Sequence, residues 1–95
     1  MPKFTLTLHS TYYSKGFFNI PVDFDRFVRD SEGDINLVLG NTGRLITGTL
    51  NRSANSNGTP RIIGGRELKS WFQEHYKSGD HVSIDLSSEN SIRIG

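Results

Sequence analysis

Apolar residues in this chain recur at every second position, in runs too short for an amphipathic helix. Phe4, Leu6 and Leu8 alternate with Thr5, Thr7 and His9. Ile35, Leu37 and Leu39 repeat the pattern, and Ile46, Gly48 and Leu50 share one side of Leu45–Asn51. Val82, Ile84 and Leu86 alternate within His81–Leu86, and Ile92 and Ile94 follow. A period of two is the signature of half-buried strands, with one face on a core and the other in water. Phe17–Pro21 and Arg61–Ile63 add two short extended runs, Pro21 holding Ile20 extended. Turn residues punctuate the strands at Ser31–Asp34, Gly40–Gly43, Asn57-Gly58 and Ser87–Ser91. About seven short strands result.

Only one segment has firm helical spacing. Leu68, Trp71, Phe72 and Tyr76 form a stripe within Arg66–Tyr76, with Gly65 as N-cap and Gly79 at the exit. A second short helix is expected within Val22–Arg29, where Phe24, Phe27 and Val28 fall at i, i+3 and i+4. The fold expected is mostly β (α+β in class). It is a seven-stranded, mixed but mainly antiparallel sheet that closes on itself, with one or two short helices.

The 95 residues make a single domain, 1–95, large enough for one core. The absence of cysteine removes disulfides and thiolate metal sites. No stretch approaches the ~20 apolar residues of a membrane span, and MPKFTLTLHS has no signal-peptide core. The chain reads as an intracellular protein, and the sequons at Asn51 and Asn57 as accidents of composition.

Net charge is +1, but it is unevenly laid out. Residues 1–22 carry +2 with no acid, 23–34 carry −3, 35–66 carry +4 with no acid, and 67–95 carry −2. The second acid-free block contains Asn51–Arg61, NRSANSNGTPR, a polar loop with an arginine near each end. Such a loop builds no core but suits a polar, phosphate-bearing surface. A solvated hairpin tip is the plainer use of the same residues.

Taken in order, FFNIPVDFDRFV, GDINLVLGNTGRLITGTL, the polar loop and IIGGRELKSWFQEHYKSGDHVSIDL resemble the B-three type DNA-binding pseudobarrel. That fold is found in plant transcription factors and in the effector domains of bacterial restriction endonucleases. The similarity spans Phe4 to Ile94, and it is the order of motifs that carries it. Val22 and Asp23 stand where the plant pattern has a basic residue, which favours the restriction branch and a bacterial, cytoplasmic setting. The resemblance implies a wrench-like grip on double-stranded DNA by two arms in the major groove. The arms map to His9–Lys15 and Asn51–Arg61, the two polar interruptions within the acid-free blocks.

In the second arm Arg52 and Arg61 have the fork suited to guanine edges or phosphates, and Asn55 or Asn57 can pair adenine. Asn51, Ser53, Ser56 and Thr59 suit phosphates or bases, whereas Asn57 is equally suited to making the turn. In the first arm His9, Ser10 and Thr11 can reach base edges, Tyr12 and Tyr13 thymine methyls or phosphates, and Lys15 a phosphate. One tyrosine of the pair is expected to face the core, because neighbours in an extended chain point oppositely. Arg44 and Arg66 are candidates for backbone contacts.

Catalysis is not expected. Asp23, Glu67 and Lys69 superficially match a metal-dependent nuclease pattern, but Glu67 and Lys69 fall on a helix rather than on one strand. No zinc site is expected from His9, His75 and His81, which are far apart in sequence. Trp71 and Phe72 read as core rather than as a platform for single strands. A monomeric, cofactor-free module for duplex DNA is therefore expected, with any nuclease activity in another, linked domain or chain. The alternatives are a transcription regulator of the same fold, or a small barrel binding protein or carbohydrate.

Overall fold

The computed structural model describes residues 2–40 and 42–95. The elements run β1 (Lys3–Thr7), α1 (Ser10–Lys15), β2 (Phe17–Asn19), a 3-10 helix (Val22–Phe27), β3 (Gly33–Leu39), β4 (Arg44–Asn51), β5 (Arg61–Ile63), α2 (Gly65–His75), β6 (His81–Ser88) and β7 (Ser91–Ile94). The seven strands form one curled sheet in the order β1-β6-β7-β3-β4-β5-β2. All neighbours are antiparallel except β3 and β7. This is the mostly β, mixed and mainly antiparallel seven-stranded sheet expected from the alternation, curled into a half-barrel.

The period-two positions are the core. Leu6, Leu8, Ile35, Leu37, Leu39, Ile46, Leu50, Val82, Ile84, Leu86, Ile92 and Ile94 are all buried. Leu68, Trp71 and Phe72 of α2 enter the same cluster, so the aromatic pair is core. Trp71 is 7% exposed, with Phe72 and Tyr76 against its ring, which leaves no open stacking platform there. On the other flank the 3-10 helix sets Phe24 against Phe4 of β1, with ring centroids 5.1 Å apart.

Three local expectations need correction. His9–Lys15 is not extended, because Ser10–Lys15 is a helical turn and a half. The Tyr13 amide donates to the His9 carbonyl, and the chain leaves through Gly16 at φ 74°. Gly16 is obligatory twice over: its φ is left-handed, and an added Cβ would collide with the Gly65 carbonyl of α2. Helical geometry also overturns the opposed tyrosines, since Tyr12 and Tyr13 are both half-buried against the core. Finally, β6 runs to Ser88 past an irregularity between Asp85 and Ser88, so the turn shrinks to Glu89-Asn90.

Candidate nucleic-acid interface

The two polar segments flank strands β2 and β5. These pair with Phe17 opposite Ile63 and Asn19 opposite Arg61, so all four side chains share the outer face while Phe18 and Ile62 point to the core. At one end of β2, α1 docks on α2: the Gly16 carbonyl accepts from the amides of Gly64 and Gly65, and Gln73 donates to the Tyr13 carbonyl. At the other end lies the loop 52–60, closed at its base by the Asn51–Arg61 pair.

A continuous strip joins the arms. The rings of His9 and Tyr12 lie 5.5 Å apart, and Tyr12 meets Phe17 edge-on at 5.4 Å. The Arg61 guanidinium lies 4.4 Å over the opposite part of this strip, on the Phe17 ring. Its Nε donates to Asn19 Oδ1 at 3.1 Å and its Nη2 to Asn55 Oδ1 at 3.3 Å. Asn55 Nδ2 in turn donates to Asn19 Oδ1 and to the Thr59 carbonyl. Arg61 is thus fixed in plane by one ring and two amides. Its Nη1 donates no hydrogen bond among the described residues.

Arg52 is placed quite differently. Nη1 donates to Asp25 Oδ1 and, at 3.4 Å, to the Gly58 carbonyl. Nη2 donates at 2.9 Å to the carbonyls of Val28 and Arg29, and Nε donates at 3.0 Å to that of Arg29. All five N–H groups are therefore engaged, and the side chain is only 16% exposed. The fork that sequence suggested for a base edge ties the loop to the C-terminal end of the 3-10 helix. To meet DNA it would have to surrender those bonds.

The loop is equally occupied with itself. Asn51 Oδ1 accepts from the amides of Ser53 and Ala54 at 2.8 and 2.9 Å. Asn57 Oδ1 accepts from the Thr59 amide and hydroxyl, and Thr59 is 6% exposed. The turn-making use of Asn57 is realised, with the Gly58 amide donating to the Asn55 carbonyl. Glu32 Oε2 accepts from the Arg52 amide at 2.7 Å and from the Ser53 hydroxyl at 3.1 Å. These two bonds hold the Glu32 carboxyl below its ordinary pKa.

The exposed polar side chains are His9, Ser10, Thr11, Ser14 and Lys15 on the first arm, and Ser53, Ser56 and Asn57 on the second. Arg66 and Lys69 are exposed on α2, beside the Gly16 junction. Arg44 stands at the far end of β4, up to about 23 Å of strand from the loop. It lies 3.6 Å from Glu67, an exposed pair of small energetic weight. Sequence reading missed Asn19, Phe17, Asp25 and Glu32. Phe17 and Asn19 were detectable as the outward positions of β2. Neither acid carried a signal: Asp25, near a helix start, is accounted for by the helix dipole, and Glu32 reads as one polar residue of a turn. Among the described residues, no three His, Asp or Glu side chains are grouped to hold a metal.

Comparison with known proteins places the fold. The hypothetical Arabidopsis thaliana protein At1g16640.1 superposes with a TM-score of 0.70 at 13% identity, over 99% of this chain and 87% of that one. The N-terminal domain of Helicobacter pylori LlaJI.R1 does so with a TM-score of 0.70 at 9% identity, over 99% of this chain and 79% of its own. The shared architecture supports a B-three-like fold. No family model matches the sequence, and no curated protein matches it. No helix among the described residues is long and apolar enough to cross a membrane.

Proposed function

We propose that this chain is a double-stranded-DNA-binding domain that grips the major groove between α1 and the loop 52–60, with Arg61 at the centre. The carrying observation is the state of Arg61: stacked on Phe17, oriented by Asn19 and Asn55, with Nη1 unengaged by the described residues, on a strip between two polar arms. A guanidinium so fixed can donate to a guanine edge or a phosphate with little ordering cost. Lys15, Arg66 and Lys69 supply charge for phosphates beside it.

On this reading the chain recognises a site and leaves any cleavage to a separate nuclease domain or chain. It binds as a monomer, without cofactor, in the cytoplasm, as the recognition module of a restriction system. The fold shared with the N-terminal domain of LlaJI.R1 is compatible with that setting. The test is a fluorescence anisotropy titration against mixed-sequence duplex at several salt concentrations. Each phosphate contact contributes about −0.9 to the slope of log K against log salt. A steep slope with poor competition by single strand supports the grip, and a flat slope overturns it.

A further inference from the structure

We propose that Asp25 and Glu32 are positioning residues for duplex binding: two carboxylates that raise the affinity of this domain for a polyanion by holding the loop between β4 and β5 in its binding shape. The inference rests on the DNA reading above and deepens it. Charge alone argues the opposite, since an acid beside the interface repels phosphates.

The geometry points to anchoring because both carboxylates close on the root of the loop from different elements. Asp25, on the 3-10 helix, accepts from Arg52 Nη1. The same nitrogen reaches the Gly58 carbonyl on the loop's far limb at 3.4 Å. Neutralising Asp25 removes the charged partner that a largely buried guanidinium has among the described residues. Glu32, on the turn before β3, holds the Arg52 amide at 2.7 Å and the Ser53 hydroxyl at 3.1 Å. The bonds that the Ser53 and Ala54 amides donate to Asn51, and the Thr59 amide to Asn57, are internal to the loop and do not fasten it to the barrel. Asn55 and Arg61 fasten the far side through Asn19. Without the two acids the near side keeps only the Arg52 bonds to the Val28 and Arg29 carbonyls, and binding must then bear part of the entropy of ordering it.

The sign of the effect separates anchoring from field. Duplex affinity of the 95-residue chain is measured at the same series of salt concentrations for the parent, Asp25→Asn, Glu32→Gln and Glu74→Gln. Glu74 is an exposed acid on α2, 3.9 Å from His75, and serves as the charge control. Glu74→Gln is expected to bind as well as the parent or slightly better. Asp25→Asn is expected to bind about tenfold more weakly, the equivalent of one charge-assisted hydrogen bond, and Glu32→Gln a few-fold more weakly. The salt slope should not change, because no phosphate contact is lost. Exchange of the Ser53, Ala54 and Thr59 amides should quicken in both variants.

Equal or tighter binding by a folded Asp25→Asn or Glu32→Gln overturns the assignment of that residue. A purely structural role would lower the melting temperature yet leave the affinity of the folded protein unchanged, and that result also overturns it. If Asp25→Asn fails to fold, Glu32→Gln, on an exposed turn, still decides. If the parent itself binds no duplex, the DNA reading falls. Loop-amide exchange then judges the anchoring alone, and unchanged exchange refutes it.

Discussion

Arg52 and Arg61 stand at the two ends of one loop, and the fold uses them in opposite ways. Arg52 donates all five of its N–H groups to protein acceptors and is nearly buried. Among the described residues Arg61 donates only through Nε and Nη2, lies over Phe17, and keeps Nη1 unengaged. One guanidinium builds the loop and the other is displayed by it. In sequence the two are near-equivalent, so position relative to acceptors, rather than residue type, assigns their roles. A binding loop needs both, since a reader without a buckle would have to be ordered on every encounter.

The comparison breaks most visibly in stability. Arg52→Met should remove the buckle, stranding the Asp25 carboxylate and the carbonyls of Val28 and Arg29. Hydrogen bonds to charged groups and unsatisfied acceptors are each worth about 1.5–3 kcal/mol, so a loss of about 2–3 kcal/mol is expected. For a domain of this size that lowers the melting temperature by roughly 10–20 °C, readable by circular dichroism. A change within a degree or two would show that the engaged donors carry no stabilising weight.

Arg61 should show the inverse profile. Arg61→Ala is expected to cost about 1–3 kcal/mol in duplex affinity, as a base- or phosphate-contacting arginine does. Its stability cost should stay near that of an exposed cation–π contact, about 0.5–1 kcal/mol. Arg61→Lys keeps the charge but loses the planar fork, so a lysine as good as arginine would place the contact at a point charge rather than an oriented edge. If both measurements fell together for both arginines, the division of labour would be wrong.

These roles also mark what the sequence could reveal. The barrel was legible because alternation encodes one buried face, and residues such as Leu37 and Ile84 fall where period two puts them. The firm helix was legible because Leu68, Trp71 and Phe72 repeat at helical spacing. The first arm was not: six residues are too few to display a period, and α1 exists because it docks against α2 through Gly16 and Gln73. The candidate site was legible as two segments but not as side-chain roles. Asp25 and Arg52 lie far apart in sequence, and nothing local marks them as partners. Val28 and Arg29 offer backbone carbonyls, which sequence does not distinguish at all.

A subtler break lies in Asn19, whose Oδ1 receives both Arg61 Nε and Asn55 Nδ2 at 3.1 Å. Asn19→Ala should leave Arg61 charged and present but unfixed. The expected loss is about 0.5–1.5 kcal/mol of duplex affinity, the weight of a net hydrogen bond. Its coupling to Arg61→Ala in a double-mutant cycle should be of similar size, because each acts through the other. Strict additivity would mean that Arg61 is oriented by Phe17 alone.

The smallest effect is a pH dependence at the loop's root. The Glu32 carboxyl is held below its ordinary value of 4.5, chiefly by the Arg52 amide and then by the Ser53 hydroxyl. A carboxyl with a depressed folded pKa lends stability above its unfolded pKa and loses it as pH falls through the folded one. The contribution is therefore complete at neutral pH and fades only below about 4.5, the ordinary value from which Glu32 is lowered. On the same turn the Arg29 guanidinium donates to the Ser31 and Asp34 carbonyls. Because Glu32 is exposed the energy is slight, so the readout should be local. The Arg52 amide proton should shift in an acid titration with a midpoint below 4.5, and the shift should vanish in Glu32→Gln. A midpoint at or above the ordinary value would mean that the turn does not hold the loop, leaving Arg52 to anchor it alone.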